Sequence, residues 1–329
     1  MLRLKIAGVI AVALGLVGFV GVTPASANPV TNFTTVYNTD VAYAGLGGMR
    51  GTDGTGTITL AGVTGTVTKA YLYWHGPTNV SDPNSNAAVT FAGTPITGTN
   101  IGTSSSNCWG FDNSQAYRAD VTSLVHGNGG YALANFTKSG VDMNGVSLVV
   151  FYDDGNSANN HDVVLFNGND SNVAFAGPPA DPEGWDVTLD GINYTAGDAS
   201  LDMIVADGQA YPEDALMLNG QTLVAAGDIF DGNTVPNASA SSASTSNGGL
   251  WDIKSFPVTS YLTPGPNTLH LTTGYTDDCL SLIVAAVDLP AGSAPDQPTT
   301  TTAAPTTTAA PTTTAKAAAA VTATPAFTG

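Results

Sequence analysis

The chain has 329 residues, and its eight Lys and Arg against 26 Asp and Glu give a formal charge of −18. So few basic side chains argue against nucleic acid and anionic lipid as partners, since both are bound through clustered positive charge. The acidic excess reads as a solvated surface and implies no cationic ligand.

Arg3 and Lys5 precede an apolar run over residues 6–22, and Ala25-Ser26-Ala27 offers the small side chains that a signal peptidase accepts. Residues 1–27 are therefore expected to be a secretory signal peptide. The run is too short for a convincing permanent anchor, so no stable membrane span is expected in the mature chain. Loss of Arg3 and Lys5 takes the formal charge from −18 to −20. The expected location is extracellular or cell-wall-associated.

From 28 to 290 the apolar residues recur with period two, between clusters of Gly, Asn, Asp, Ser and Pro, with no sustained helical stripe. An all-β body follows, with strands expected over 57–60, 69–74, 88–91, 131–136, 146–152, 163–166, 185–189, 201–205, 215–218, 268–272 and 280–287. The body also repeats itself. AYLYWHG from Ala70, VTFAGTPI from Val89, DVTSLV from Asp120 and GVSLVVFYDD from Gly145 are answered in order. The second set is ASLDMIVADG from Ala199, ALMLNGQTL from Ala215, PVTSYLTPGPNTLHL from Pro257 and CLSLIVAAVD from Cys279. Two related sandwich modules, 28–155 and 156–290, or two halves of one large sandwich, are expected. The Ser- and Asn-rich insert over 228–249 reads as a long surface loop of the second half.

FPVTSYLTPGPNTL, from Phe256, resembles a passage of galactose-binding-like jelly rolls, and DVTSLVHGNGGYAL from Asp120 is a looser copy. In that pattern Val258 and Leu262 enter the core, Gly265 permits a turn and Asn267 bonds its own backbone. The resemblance implies a jelly-roll-like framework, which carries sugar binding, adhesion and purely structural roles alike. From AYLYW to VVFYDD the body also resembles an uncharacterised family of secreted bacterial and archaeal surface proteins, which implies no activity.

Residues 299–314 repeat TTTAAP, a composition too poor in large apolar side chains to build a core, with Pro305 and Pro311 favouring an extended path. Residues 291–329 are thus expected to be a disordered stalk. Pro325-Ala326-Phe327-Thr328-Gly329 resembles a sortase sorting motif with Pro325 in place of Leu, which implies sortase as a partner if the gene continues beyond Gly329.

Candidate functional residues fall into three groups. Cys108 and Cys279 are the two cysteines of an exported chain, and a disulfide between them would stabilise the fold by roughly 4 kcal/mol in the chain-entropy model. Calcium, a hard cation wanting oxygen ligands, would find them at Asp153, Asp154, Asn156 and Asp162, or at Asp82, Asn84 and Asn86; the alternative is a polar loop whose Asx side chains bond local backbone. Trp109, in a polar loop, is the preferred contact for a glycan, with Tyr71 and Tyr73 as weaker ones; core packing is the competing reading for all three.

A catalytic carboxylate pair is not apparent, because Glu183 and Glu213 sit in Pro-containing segments that read as exposed turns. His75, His126, His161 and His270 are scattered without metal-ligand spacing. The expected function is binding, to an extracellular glycan or cell-surface component. A structural envelope or coat protein without a discrete ligand is the alternative, and a glycan-processing enzyme is a further one.

Overall fold

A computed structural model describes residues 28–105, 109–172, 184–239, 248–274 and 278–292. The first half contributes β1 (Asn28–Leu46), β2 (Gly56–Leu60), β3 (Thr66–Thr78), β4 (Ala88–Phe91), β5 (Thr94–Thr97), β6 (Thr99–Ser104), β7 (Asn113–Asp120), β8 (Gly129–Ala134) and β9 (Gly145–Asp153). The second contributes β10 (His161–Ser171), β11 (Asp186–Tyr194), β12 (Ser200–Ala206), β13 (Leu216–Leu218), β14 (Gln221–Val224), β15 (Trp251–Pro257), β16 (Gly265–Thr273) and β17 (Ser281–Pro290).

All the pairings between these strands are antiparallel, and the two halves use them in the same way. β3 lies between β7 and β9, and β12 between β15 and β17. The order β2-β8-β4-β5 in one four-stranded sheet is matched by β11-β16-β13-β14 in the other. The equivalence extends to single hydrogen bonds. Val121 N–H donates to the Ala70 carbonyl at 2.9 Å, and Val258 N–H to the Ala199 carbonyl at 2.9 Å. Ala70 N–H donates to Thr122 Oγ1 at 3.0 Å, and Ala199 N–H to Thr259 Oγ1 at 2.8 Å. The expected doubled β-sandwich with an internal repeat is the fold.

β1 ties the halves into one nine-stranded sheet. Its first part pairs with β10 as far as Thr39, and from Asp40 it pairs with β9. Bulges interrupt the first register, and Asn38 takes a left-handed φ of 52° where the partner changes. Asn tolerates that region better than most side chains, and bulges bend a strand.

Three cores result. Leu72 and Trp74 of β3 point into the first-half core under β2-β8-β4-β5, while Met203 and Val205 of β12 point into the second-half core under β11-β16-β13-β14. The opposite faces carry Tyr71, Tyr73, Val149, Phe151, Val163, Leu165, Ile204 and Ala206, which pack together in a third core shared by both halves. With both faces covered, β9 is buried from Gly145 through Tyr152. Each large apolar side chain so removed from water contributes about 1.5–3 kcal/mol. Trp251 locks the shared core: its indole N–H donates to Ser147 Oγ at 2.7 Å, and its ring lies where a Cβ on Gly145 would be 2.6 Å away.

The expected surface loop over 228–249 is corrected in its described part. Ile229 and Phe230 are buried in the second-half core, Val235 packs on the shared one, and Gly47 N–H donates to the Pro236 carbonyl at 2.9 Å. Phe230 and Val235 give the segment apolar surface that is worth burying, which its Ser- and Asn-rich remainder obscured. At the other end, Ala291 N–H donates to the Asn160 carbonyl and Gly292 N–H to Asp162, so the body extends past the expected start of the stalk. The signal peptide and the rest of the stalk, with Pro325, Ala326, Phe327, Thr328 and Gly329, lie outside the described residues.

Candidate functional site

The loops that follow β1, β6, β8 and β12 converge at one end of the seam between the halves. Arg50 leaves a 3₁₀ turn after β1, and its Nε binds Asp142 Oδ2 at 2.8 Å. Its guanidinium lies 3.7 Å from the centre of the Trp109 ring and 5.5 Å from that of Phe111, both half-buried. A cation over an aromatic face is worth about 0.5–2 kcal/mol. Burial pulls the Arg50 pKa down, and Asp142 and Asp207 oppose that.

Asp207, directly after β12, anchors this arrangement from the second half. Trp109 Nε1–H donates to its Oδ1 and Oδ2 at 2.6 and 2.9 Å, and Asn144 Nδ2 donates to Oδ1 at 2.8 Å. The residue is fully buried and holds a left-handed φ of 71°. Burial raises its pKa well above the carboxylate range and Asp278 adds to the rise, while Trp109, Arg50 and Asn144 favour the charged form.

Three more buried carboxylates organise the neighbouring second-half loops. Glu213 accepts the N–H groups of Ile229 at 2.5 Å and Phe230 at 2.9 Å. Asp278 accepts those of Gln209 at 2.9 Å and Cys279 at 2.8 Å. Asp252 accepts Gly232 N–H at 2.7 Å and the Thr234 hydroxyl at 2.8 Å. Burial is the main cause that pushes Glu213 up to about 7 and Asp278 up to about 8, and it raises Asp252 as well. Their oxygens engage backbone donors of the loops, so chemically they act as clamps that fix loop shape. The reading of Glu213 as an exposed turn residue is thereby corrected, since its carboxylate is drawn inward by two otherwise unpaired N–H groups. Glu183 lies outside the described residues.

Among the other expected contacts, Tyr71 and Tyr73 are corrected. Both are buried in the shared core, Tyr71 edge-on to Phe33 and Phe151, which leaves no ring face for a ligand. Trp109 is in the site. Cys279 is buried beside Asp278, and Cys108 lies outside the described residues.

The expected calcium ligands are not gathered around one point. Asp153 accepts Gly155 N–H, Asp154 accepts Asn156 N–H, and Asn156 Oδ1 accepts Ala158 N–H. Asp162 is turned toward Asn38 and Gly292, whose N–H groups it accepts at 2.7 and 2.6 Å. Instead, Asn159 Nδ2 bridges Asp154 and Asp40 of β1, at 3.1 Å from each. At the alternative place Asp82 accepts Asn84 N–H, and Asn86 is buried against Lys138 and Phe136. Among the described residues no three carboxylate, imidazole or thiol groups form a metal-binding cluster.

Arg50, Asn144, Asp207 and Asp278 were not singled out by sequence. The available signals were slight: Arg50 is one of few basic residues, and Asp207 and Asp278 sit in the turn-like strings ADG and DDC.

A family model described as "Protein of unknown function (DUF3344)" matches residues 23–287. The chain belongs to the DUF3344 family. No curated protein matches this DUF3344 protein. Similar solved structures include BuGH86 bound to neoagarooctaose, as wild type and as a glutamate-to-glutamine variant. Each is 11% identical, covers 78% of this chain and 33% of its own, and has a TM-score of 0.24. The chain thus spans about a third of those structures, and at that TM-score the likeness carries no argument.

Proposed function

We propose that this DUF3344 protein is exported and works as a surface-displayed binding module, with a glycan as the ligand class and the loop end of the inter-half seam as the contact face. The observation that carries the reading is the state of Trp109: half-exposed, yet fixed by two hydrogen bonds to a buried carboxylate and by a stacked guanidinium. A sugar packs its apolar face on an aromatic ring, and affinity rises when the ring is held in place before binding. Phe111, on the same loop, lies by the same guanidinium and adds aromatic surface, and Tyr211, four residues after Asp207, is 45% exposed. The four buried carboxylates support this role by holding loops still.

The test is a glycan array probed with the mature chain, alongside Trp109→Phe and Tyr211→Ala. Saturable binding that both substitutions weaken supports the reading. Self-association without glycan binding favours the envelope or coat alternative, and turnover of a glycan favours an enzyme.

A further inference from the structure

We infer that the contact face takes an uncharged sugar, a hexose or an N-acetylated hexosamine, and discriminates against sugars that carry a carboxylate or a sulfate. The inference rests on the reading of Trp109 given above and names the ligand class within it. An acidic sugar is gripped by a free Arg or Lys through charge-assisted hydrogen bonds. The described residues include Arg50, Lys69, Arg118, Lys138 and Lys254, and each of these is already engaged within the body. Lys138 Nζ donates to Asn86 Oδ1 at 2.9 Å and to the Ala88 carbonyl at 2.6 Å. Arg118 donates to Asn167 Oδ1 at 3.1 Å and lies 3.4 Å from the centre of the Phe33 ring. Lys254 donates to the Ile229 carbonyl and faces Asp231 at 3.8 Å. Lys69 pairs with Asp120 at 3.3 Å near the start of β3, whereas the Trp109 loop meets Asn79, just past its end.

Arg50 is the natural candidate to hold an anion, and it is spent. Its side chain is 8% exposed, Nε is bound to Asp142, and the guanidinium is stacked on Trp109. Its Nη1 has no partner but is closed off from solvent, so a ligand would have to unstack the ring to reach it. The charges that do face outward here are negative: Asp112, three residues after Trp109, is exposed, and 22% of the Asp142 side chain meets solvent. A carboxylate brought to Trp109 therefore meets like charge and no counter-ion, and such juxtaposition is how a site rejects the wrong ligand. An ammonium is not selected instead. Asp142 is occupied by Arg50 and by Met143 N–H at 2.8 Å, Asp207 by Trp109 and Asn144, and a single exposed carboxylate such as Asp112 adds little in water. The ring surface away from the guanidinium suits the apolar face of a sugar, and Asp112 offers acceptors for its hydroxyls.

The experiment uses the mature full-length protein and immobilised oligosaccharides in matched series, each series varying one group only: the neutral hexose, the N-acetylated hexosamine, the free-amino hexosamine, the uronic acid and the sulfate ester. The first two should bind about tenfold or more tighter than the acidic members. Affinity for the neutral member should hold within about twofold between about 50 and 500 mM salt, a range over which charge-based binding weakens. Asp112→Lys, at an exposed position, puts a free cation beside Trp109 and should shrink the discrimination against the uronic acid by about threefold or more, with Asp112→Asn moving it the same way by less. Tightest binding of an acidic or free-amino member, or a neutral affinity that falls steeply with salt, overturns the uncharged class and leaves the glycan-binding reading standing. Discrimination that neither Asp112 variant alters overturns the assignment of specificity to charge at this face. Binding of no member overturns the reading of Trp109 itself, and the ligand class falls with it.

Discussion

Glu213 makes stability depend on pH in the direction opposite to an ordinary ion-paired carboxylate. Its pKa rises from 4.5 to about 7, chiefly through burial, whereas in the unfolded chain it ionises near the lower value. Between the two pH values the folded state holds a proton that the unfolded state has released. The contribution is thus fully present below pH 4.5 and is lost as pH rises through about 7. At about 1.4 kcal/mol per unit, the shift corresponds to at most about 3 kcal/mol. Asp278, raised to about 8, extends the decline to higher pH. Urea unfolding at pH 5, 6, 7 and 8 measures it, with emission of Trp185 as a local reporter, since that ring lies 5.7 Å from Phe230, whose N–H Glu213 accepts. Wild-type stability should fall from pH 5 to 8, and Glu213→Gln, which cannot titrate, should fall less, by up to about 3 kcal/mol. Stability that is flat or rising over this range refutes the reasoning, and an unchanged slope in the variant refutes the assignment to Glu213.

Trp109→Phe keeps a ring under Arg50 but takes from both Asp207 oxygens the indole N–H they share, and should destabilise by about 1.5–3 kcal/mol in urea. Gly145→Ala drives a methyl into the Trp251 ring and toward the Leu46 carbonyl, 2.6 and 2.8 Å away, and should lower stability by about 1–3 kcal/mol with loss of the native near-ultraviolet signal of Trp251. Millimolar calcium compared with excess chelator tests the cation proposal. A rise in Tm that Asp154→Ala abolishes and Asp162→Asn preserves places the ion beside Asp40, and an unchanged Tm removes calcium from the account.

The strands with dense alternation were legible, and 88–91 was found with its observed limits. The repeat was legible too, because Val121 and Val258 must fill equivalent core positions after equivalent strands. β1 was missed because its alternation is carried by Thr, Asn and Tyr, and sequence does not show that a polar strand will pair first with β10 and then with β9. β7 and β15 were missed for a related reason: Ser114, Gln115 and Asp252 are buried but satisfied by partners distant in sequence. The site was legible only at Trp109. Its other members come from four separated loops, and a carboxylate that will be buried against backbone donors looks in sequence like any turn Asp or Glu.

β1 and β10 are the opening strands of the two repeats, and they lie side by side, antiparallel. Equivalent strands meeting in that way are what a two-fold axis produces between identical subunits. The body thus has the form of a dimer whose protomers became one polypeptide, with the proposed contact face at the boundary between the two repeats. A single repeat expressed alone would present its opening strand as an unpaired edge. Its natural partner would be another copy of itself, so a half-length protein should pair rather than remain a monomer.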